Sequence, residues 1–161
     1  MAAPVLIVGV GNILLSDEGA GVAAVRLLEG RPLPAGTEIL EAGTVGMELL
    51  AWMDGVEHLI ILDAVDFDAA PGTLCRFRAN GTAGWPGRPL SFHELGILEV
   101  LDAGRLIDAF PDVVVIGVQP GSLATGLELT APVAAALPRL VELALEEAER
   151  LARVRDHAVG A

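Results

Sequence analysis

Three side chains that can bind a divalent metal or move protons lie just after, or close to, apolar runs in this sequence. They are Glu18, Asp63 and His93. A set of two carboxylates and one imidazole suits a borderline divalent ion and leaves coordination positions open for water or a substrate. If the apolar runs are parallel strands, their carboxyl ends meet at one edge of a sheet, and all three residues can converge there on one metal site.

The element that must position Glu18 is a strand followed by a glycine turn. Residues 5–10 (VLIVGV) form a continuous β-branched run that breaks at Gly11, which predicts a strand buried on both faces and feeding a helix. The predicted helix spans about 18–30, with Asp17 as its N-cap. Glu18 is therefore expected at a helix start near the end of a central strand, where open α/β sheets bind ligands.

Asp63 and His93 are expected at the ends of two other elements. Asp63 closes the apolar run that begins at His58, and His58 itself is interpreted as a structural residue at a strand start. Ser91 followed by Glu94 has the pattern of a capping box, which places His93 in the first turn of a helix that extends to about residue 103.

The order of predicted elements indicates a single three-layer α/β/α domain, with a mostly parallel twisted sheet and helices on both faces. The domain is expected to span residues 1–155, followed by a frayed tail at 156–161. Residues 79–89 predict a surface loop that could border a substrate groove beside His93. The predicted elements are strand 4–10, helix 18–30, strand 37–41, helix 45–53, strand 58–64, an extended segment 72–78, helix 92–103, strand 112–118 and helix 132–154.

Composition and charge exclude several classes of protein. The chain has 161 residues, of which 53% are hydrophobic, but no stretch of about 20 uninterrupted apolar residues, so we expect no membrane span. The first residues lack the pattern of a signal peptide, which favours a cytoplasmic protein. The net charge of −12, with only 10 Lys and Arg, argues against binding to nucleic acid or to an anionic membrane.

A nucleotide-binding module is a less favoured alternative. Residues 9–14 contain the first two glycines of a dinucleotide fingerprint, but Leu14 stands at the third position, where glycine or alanine is needed. Asp17 and Glu18 also place negative charge at the predicted helix start, where a pyrophosphate would bind. These features favour a cation at the turn.

A serine or cysteine nucleophile is poorly supported. Cys75 is the only cysteine and lies in a strand-like segment, so it is interpreted as a core residue. No serine lies in a Gly-x-Ser-x-Gly motif. If the protein catalyses a hydrolysis, attack by water with a carboxylate as the general base is favoured, although the sequence does not assign the base.

Five segments, taken together, resemble the [NiFe]-hydrogenase maturation endopeptidases. The matches occur in the family's order and extend from Val5 to about Val133. The segments are VGVGNILLSDEGAGV (8–22), AGTVGMELL (42–50), LDA (62–64), HELG (93–96) and IGVQP (116–120). The resemblance implies an endopeptidase that removes a short C-terminal extension from a hydrogenase large-subunit precursor after nickel has been inserted.

The resemblance also implies roles for individual residues. Glu18, Asp63 and His93 stand where the family's metal-binding residues stand, and these are thought to recognise nickel already held by the substrate. Nickel would then come with the substrate, and no organic cofactor is expected. The metal could polarise the scissile carbonyl, activate a water molecule or only tether the peptide. A metal-binding maturation chaperone that does not cleave remains an alternative.

One segment departs from the family pattern. The family commonly has aspartate and glycine before Gly-Thr, whereas this chain has Glu41 and Ala42. The added methylene moves the carboxylate by roughly 1.5 Å, so Glu41 is either a catalytic or specificity residue or a solvated strand end. Gly43, Thr44 and Gly46 are expected to line the groove for the substrate peptide. The small size of the chain favours a monomer.

Overall fold

A five-stranded sheet forms the centre of the computed structural model. The structure describes residues 3–44, 46–79, 81, 83–87, 89–107 and 110–160, and for residues 92 and 93 it describes only the backbone. The strands are β1 (Val5–Val10), β2 (Thr37–Gly43), β3 (His58–Ala64), β4 (Leu74–Arg78) and β5 (Asp112–Val118). Their order across the sheet is β2-β1-β3-β5-β4. Strands β1, β2, β3 and β5 are parallel, and β4 is antiparallel at one edge. The mostly parallel sheet is therefore confirmed.

The three central strands are apolar because helices cover both of their faces. Helices α1 (Ala20–Leu28) and α3 (Ala131–Val159) pack on one face. Helix α2 (Phe92–Gly104) and a 3₁₀ helix, Met47–Trp52, pack on the other face. The predicted three-layer α/β/α architecture is confirmed. Within the part of the chain described here, no helix has both the length and the apolarity to cross a membrane.

The start of the first helix differs from the prediction. Residues Ser16–Gly19 form a separate 3₁₀ helix, and α1 begins only at Ala20, with Gly19 at the N-cap position. The prediction of Asp17 as the N-cap of this helix was therefore wrong. The Asp17 side chain binds backbone groups of a distant loop instead of the first turn of α1.

The second strand also departs from its predicted bounds. It continues to Gly43 instead of ending at residue 41, because a bulge inserts Ala42: Gly9 pairs with Glu41, whereas Val10 pairs with Gly43. The helix predicted at 45–53 is the 3₁₀ helix Met47–Trp52, and Val45 lies outside the described residues.

The last helix is longer than expected. It runs to Val159, so residues 156–159 are helical where the sequence predicted a frayed tail. The amide of Gly160 donates to the Asp156 carbonyl oxygen and closes the last turn. Arg155 lies 3.6 Å from the Glu57 carboxylate, which attaches this end of the helix to the turn before β3.

The loop predicted at 79–89 packs against the sheet rather than lying wholly on the surface. Trp85 is buried, and its ring meets that of Phe77 edge to face, with centroids 5.2 Å apart. Such aromatic pairs are stabilising beyond the area that they bury. The described part of this segment, residues 79, 81, 83–87 and 89, contains neither a helix nor one of the five strands of the sheet.

Candidate active site

Asp63 is the penultimate residue of the central strand β3 and has a fully buried side chain. It pairs with Gly117 of β5 and is 0% exposed. A Cβ placed on Gly11, which follows β1, would stand 3.7 Å from Asp63 Oδ1. The carboxylate therefore lies beside the turn that leaves the neighbouring strand, as the sequence predicted.

Glu18 lies in the 3₁₀ helix Ser16–Gly19, on the other side of Gly11. It is 1% exposed. A Cβ on Gly11 would overlap the Glu18 carbonyl oxygen, and Gly11 has a φ of +131°, a conformation that glycine adopts without strain. The structure therefore brings the Glu18 turn and the Asp63 carboxylate to the same edge of the sheet, with a residue between them that has no side chain.

His93 lies in the first turn of α2, but its side chain is outside the described residues. Ser91 is the N-cap, with an extended backbone (φ −160°), as predicted. The predicted capping box forms only in part. The buried Glu94 carboxylate accepts a hydrogen bond from the amide of Leu90, the residue before the N-cap, and so reaches back over the start of the helix.

The start of α2 lies at the same edge of the sheet as Asp63. Just before this helix, Gly87 packs against the carbonyl oxygen of Asp66, which follows β3. At the other end of the helix, Gly104 packs against the ring of Phe110, which leads into β5 at the opposite edge. The backbone of His93 is therefore on the carboxyl side of the sheet, together with Glu18 and Asp63.

The described residues alone contain no cluster of three His, Cys, Asp or Glu side chains that could hold a metal ion. This search could not include the side chain of His93, the predicted third ligand. The carboxylates of Glu18 and Asp63 are suitable oxygen donors for a divalent ion, and an imidazole would complete the predicted donor set.

A cleft of about 260 Å³ adjoins the Glu18 turn. The predicted groove residues Gly43 and Thr44 line it, whereas Gly46 is not among its lining residues and instead precedes the 3₁₀ helix Met47–Trp52. The Gly11 N–H donates a hydrogen bond of 2.9 Å to the Gly43 carbonyl oxygen, which joins the two walls of the cleft. The lining residues are Gly11, Asn12, Ile13, Leu14, Val22, Glu41, Gly43 and Thr44.

Glu41 lines this cleft but is held by Arg26 of α1. Arg26 Nη2 and Nε donate to the two carboxylate oxygens over 2.6 and 3.0 Å. The hydrogen bonds from Arg26 are the main reason why the pKa of Glu41 lies below its ordinary value. A carboxylate that is paired in this way is a weak proton acceptor. The geometry thus favours a structural role for Glu41 in the wall of the cleft over a role as general base.

Asp17 binds a distant segment of the chain, which the sequence did not predict. Its buried carboxylate accepts four hydrogen bonds: Oδ1 from Thr130 N (2.7 Å), and Oδ2 from Gly121 N (2.8 Å), Ser122 N (3.0 Å) and Thr130 Oγ1 (2.7 Å). Burial acts to raise the pKa of Asp17, but these bonds outweigh it and lower the pKa. The partners lie more than 100 residues away, and no local sequence signal identifies them.

Gln119 locks the loop that follows β3. Its Oε1 accepts hydrogen bonds from the amides of Phe67 and Ala69, and its Nε2 donates to Asp66 Oδ1 over 3.1 Å. The side chain is buried. Gln119 therefore fixes the conformation of residues 66–69 at the carboxyl edge of the sheet.

Two other candidate residues have structural roles. Burial raises the pKa of the Cys75 thiol to about 11, so it is protonated at neutral pH and is a poor nucleophile. His58 lies at the start of β3, the end opposite to Asp63, with Nδ1 3.9 Å from Asp112 Oδ2. Both observations agree with the interpretations made from the sequence.

Comparison with known proteins identifies the family. The family model HycI, described as hydrogenase maturation protease, matches residues 22–147. The chain belongs to the hydrogenase maturation protease family. The protease is 43% identical over 160 residues to the hydrogenase 2 maturation protease of Escherichia coli K12, an alignment that covers 98% of this chain and 94% of the relative.

Solved structures agree with this assignment. The hydrogenase maturating endopeptidase HybD from E. coli superposes with a TM-score of 0.81 at 42% identity, over 89% of this chain and 90% of the other. The [NiFe] hydrogenase maturation protease HybD from Thermococcus kodakarensis gives a TM-score of 0.73 at 29% identity, over 89% and 98%. The protease is therefore a peptide-bond hydrolase of hydrogenase maturation, as the sequence resemblance predicted.

Proposed function

We propose that this protease removes the C-terminal extension of a [NiFe]-hydrogenase large-subunit precursor after nickel insertion, and that it recognises the nickel held by the precursor. The observation that carries this proposal is the position of the Glu18 turn and the Asp63 carboxylate on either side of Gly11. Membership of the family supports the reaction class.

The donor chemistry fits a metal that belongs to the substrate. Two carboxylates and the His93 imidazole would supply three ligands and leave positions for ligands from the precursor. Nickel bound in this way would draw the neighbouring peptide to the edge of the sheet and could polarise its carbonyl group. A precursor without nickel would lack this anchor, so the order of insertion and cleavage follows from the recognition. No organic cofactor is expected.

Hydrolysis by water is the favoured chemistry, as in an aspartyl-type endopeptidase. A carboxylate of Glu18 or Asp63 would take a proton from water as the water oxygen bonds to the scissile carbonyl carbon. The C–N bond then breaks, and the leaving amine receives the proton that the carboxylate took from water. Ser16 is an unsuitable nucleophile because its hydroxyl donates to the Ala124 carbonyl oxygen over 2.7 Å. The high pKa of Cys75 disfavours a thiolate.

The cleft beside the Glu18 turn is the proposed path of the extension. Gly43 and Thr44 offer backbone groups that a peptide can approach closely, and we assign Gly46 to the rim beyond them. We propose that the protease acts as a monomer in the cytoplasm, where the precursor would be assembled. Its single cysteine, which has no partner for an internal disulfide, is compatible with that reducing compartment.

The test uses the co-encoded large-subunit precursor in nickel-loaded and nickel-free forms. Each form is incubated with the purified protease, and the intact mass of the precursor is followed with time. We expect loss of a C-terminal peptide from the nickel-loaded form alone. Equal cleavage of both forms would contradict recognition of nickel, whereas stable binding without cleavage would support the chaperone alternative.

A further inference from the structure

The turn that carries Glu18 is too short to hold its own position. Ser16–Gly19 is a four-residue 3₁₀ helix, and such helices have poor hydrogen-bond geometry and little intrinsic stability. Ser16 also has a φ of +51°, which is uncommon for a residue with a side chain. The position of Glu18 therefore depends on contacts with other parts of the chain.

Asp17 supplies most of these contacts. It lies next to Glu18 in the same turn and is 0% exposed. Its carboxylate accepts four hydrogen bonds from the segment between β5 and α3, as described above, and its backbone N–H donates to Ser122 O over 3.1 Å. Hydrogen bonds to a charged acceptor are stronger than neutral ones, so one side chain fixes the turn from several directions.

Backbone pairing extends the same attachment. Leu15 forms a parallel bridge with Gly126, in which Ser16 N donates to Gly126 O over 2.9 Å and Gly126 N donates to Leu14 O over 2.8 Å. Residues 121–130 are thus bound to the chain at residues 14–17, immediately before Glu18. On its other side, the turn meets Gly11, next to Asp63.

We propose that Asp17 is a positioning residue of the processing reaction, which fixes the turn that carries Glu18 against residues 121–130. The proposal rests on the proposed function, because it concerns the step in which Glu18 acts. Displacement of a reacting group by about 1 Å can reduce a rate by roughly 100-fold. Asp63 and His93 would still hold the nickel that anchors the precursor, so binding would change less than the rate. Asp17 therefore acts mainly on kcat.

Asp17→Asn is the most informative substitution. The amide nitrogen would face either Thr130 N, in place of Oδ1, or the three donors that now meet Oδ2, so one donor opposes another in either orientation. Thr130→Val removes only the hydroxyl bond to Asp17, and Thr130→Ser keeps it. This pair tests the same contact with less disturbance of folding.

The experiment measures kcat and KM for nickel-loaded precursor, together with the thermal unfolding of each variant. The control is Glu147→Gln, which removes a buried ion-pair partner roughly 24 Å along α3 from its first residue. We expect Asp17→Asn to lower kcat by about 10- to 100-fold, with KM within about threefold of wild type. Thr130→Val should lower kcat in the same sense, and Thr130→Ser should restore it.

The outcomes separate this proposal from the proposed function. A normal kcat in folded Asp17→Asn, or a loss of kcat equal to that in an equally destabilised Glu147→Gln, would overturn the positioning role alone. Equal rates for Thr130→Val and Thr130→Ser would also count against it. Failure of the wild-type protein to cleave the precursor would overturn both.

Discussion

Gly11 lies directly against the carboxylate of Asp63, such that a Cβ on Gly11 would be 3.7 Å from Oδ1. The same Cβ would overlap the Glu18 carbonyl oxygen. The two acidic residues can share one edge of the sheet only because the residue between them has no side chain. Gly11 is one of the two glycines that resemble a dinucleotide fingerprint, but in this fold it makes room for the two acidic residues.

Replacement of Gly11 by alanine should therefore damage both stability and processing. The left-handed φ and the steric overlap together should cost about 1–3 kcal/mol of unfolding free energy. Thermal unfolding and the rate of precursor cleavage would measure the two effects. Gly30→Ala is the matched control, because a Cβ there meets no atom within 4 Å. Equal behaviour of the two variants would contradict the steric role of Gly11.

Asp63→Asn and His93→Ala should abolish processing while the fold remains intact. The first change keeps the shape of a buried side chain but removes its charge, and loss of a general base or metal ligand reduces rates by about 100-fold or more. Cleavage of nickel-loaded precursor and circular dichroism would test this. Asp112→Asn, at the opposite end of the strands, should keep the wild-type rate. Wild-type processing by both site variants would refute the site assignment.

Glu41→Gln should remain active in processing. Its carboxylate is bound by Arg26 at the surface of the cleft, and exposed ion pairs of this kind contribute little to stability. We expect a loss of kcat smaller than about tenfold, since general bases contribute about 100-fold or more. Loss of all cleavage in Glu41→Gln, with Arg26→Gln unaffected, would instead assign the base to Glu41.

Glu147 should make stability depend on pH. Burial acts to raise its pKa, but hydrogen bonds from Arg150 and Arg76 outweigh it, so the pKa is lower in the folded state than its ordinary value of 4.5. The stabilisation is therefore complete above about pH 4.5 and is lost as the pH falls through the folded-state pKa. Thermal unfolding of the wild-type protein between pH 7 and pH 3 would show this loss.

The variant Glu147→Gln should lower the unfolding free energy at pH 7 by about 1–3 kcal/mol. The difference from wild type should then shrink as the solution becomes acidic. Glu146→Gln is the matched control, because its pair with Arg139 is exposed on both sides and should contribute less than about 1 kcal/mol. A difference that stays constant down to pH 3 would disprove the role of the carboxylate charge.

The sequence predicted the sheet and its layers well because those patterns are local. Continuous apolar runs such as the one that ends at Asp63 are sufficient to predict a buried parallel strand. The position of Asp63 at a strand end followed from the same pattern. The N-cap at Ser91 was also predicted, since its signal lies within four residues.

The errors concern contacts between distant parts of the chain. Aspartate is a residue type that is common at N-caps, and only the folded structure shows that the partners of Asp17 are Gly121, Ser122 and Thr130. The pairing of Glu41 with Arg26 depends on how α1 packs beside β2, which residue spacing does not reveal. Tertiary contacts therefore overrode local preference at the site itself.

The antiparallel strand β4 has a consequence for how the chain can vary. After β3 reaches the carboxyl edge, β4 runs towards the opposite edge, and at Gly87, before α2 begins, the chain is again beside Asp66 at the carboxyl edge. Between β3 and α2 the chain therefore crosses the sheet twice, once in each direction. Because the two crossings cancel, His93 lies at the start of its helix at the same edge as Asp63. A relative could lengthen or lose both crossings and keep the site together, but loss of one crossing alone would place His93 at the opposite edge of the sheet from Asp63.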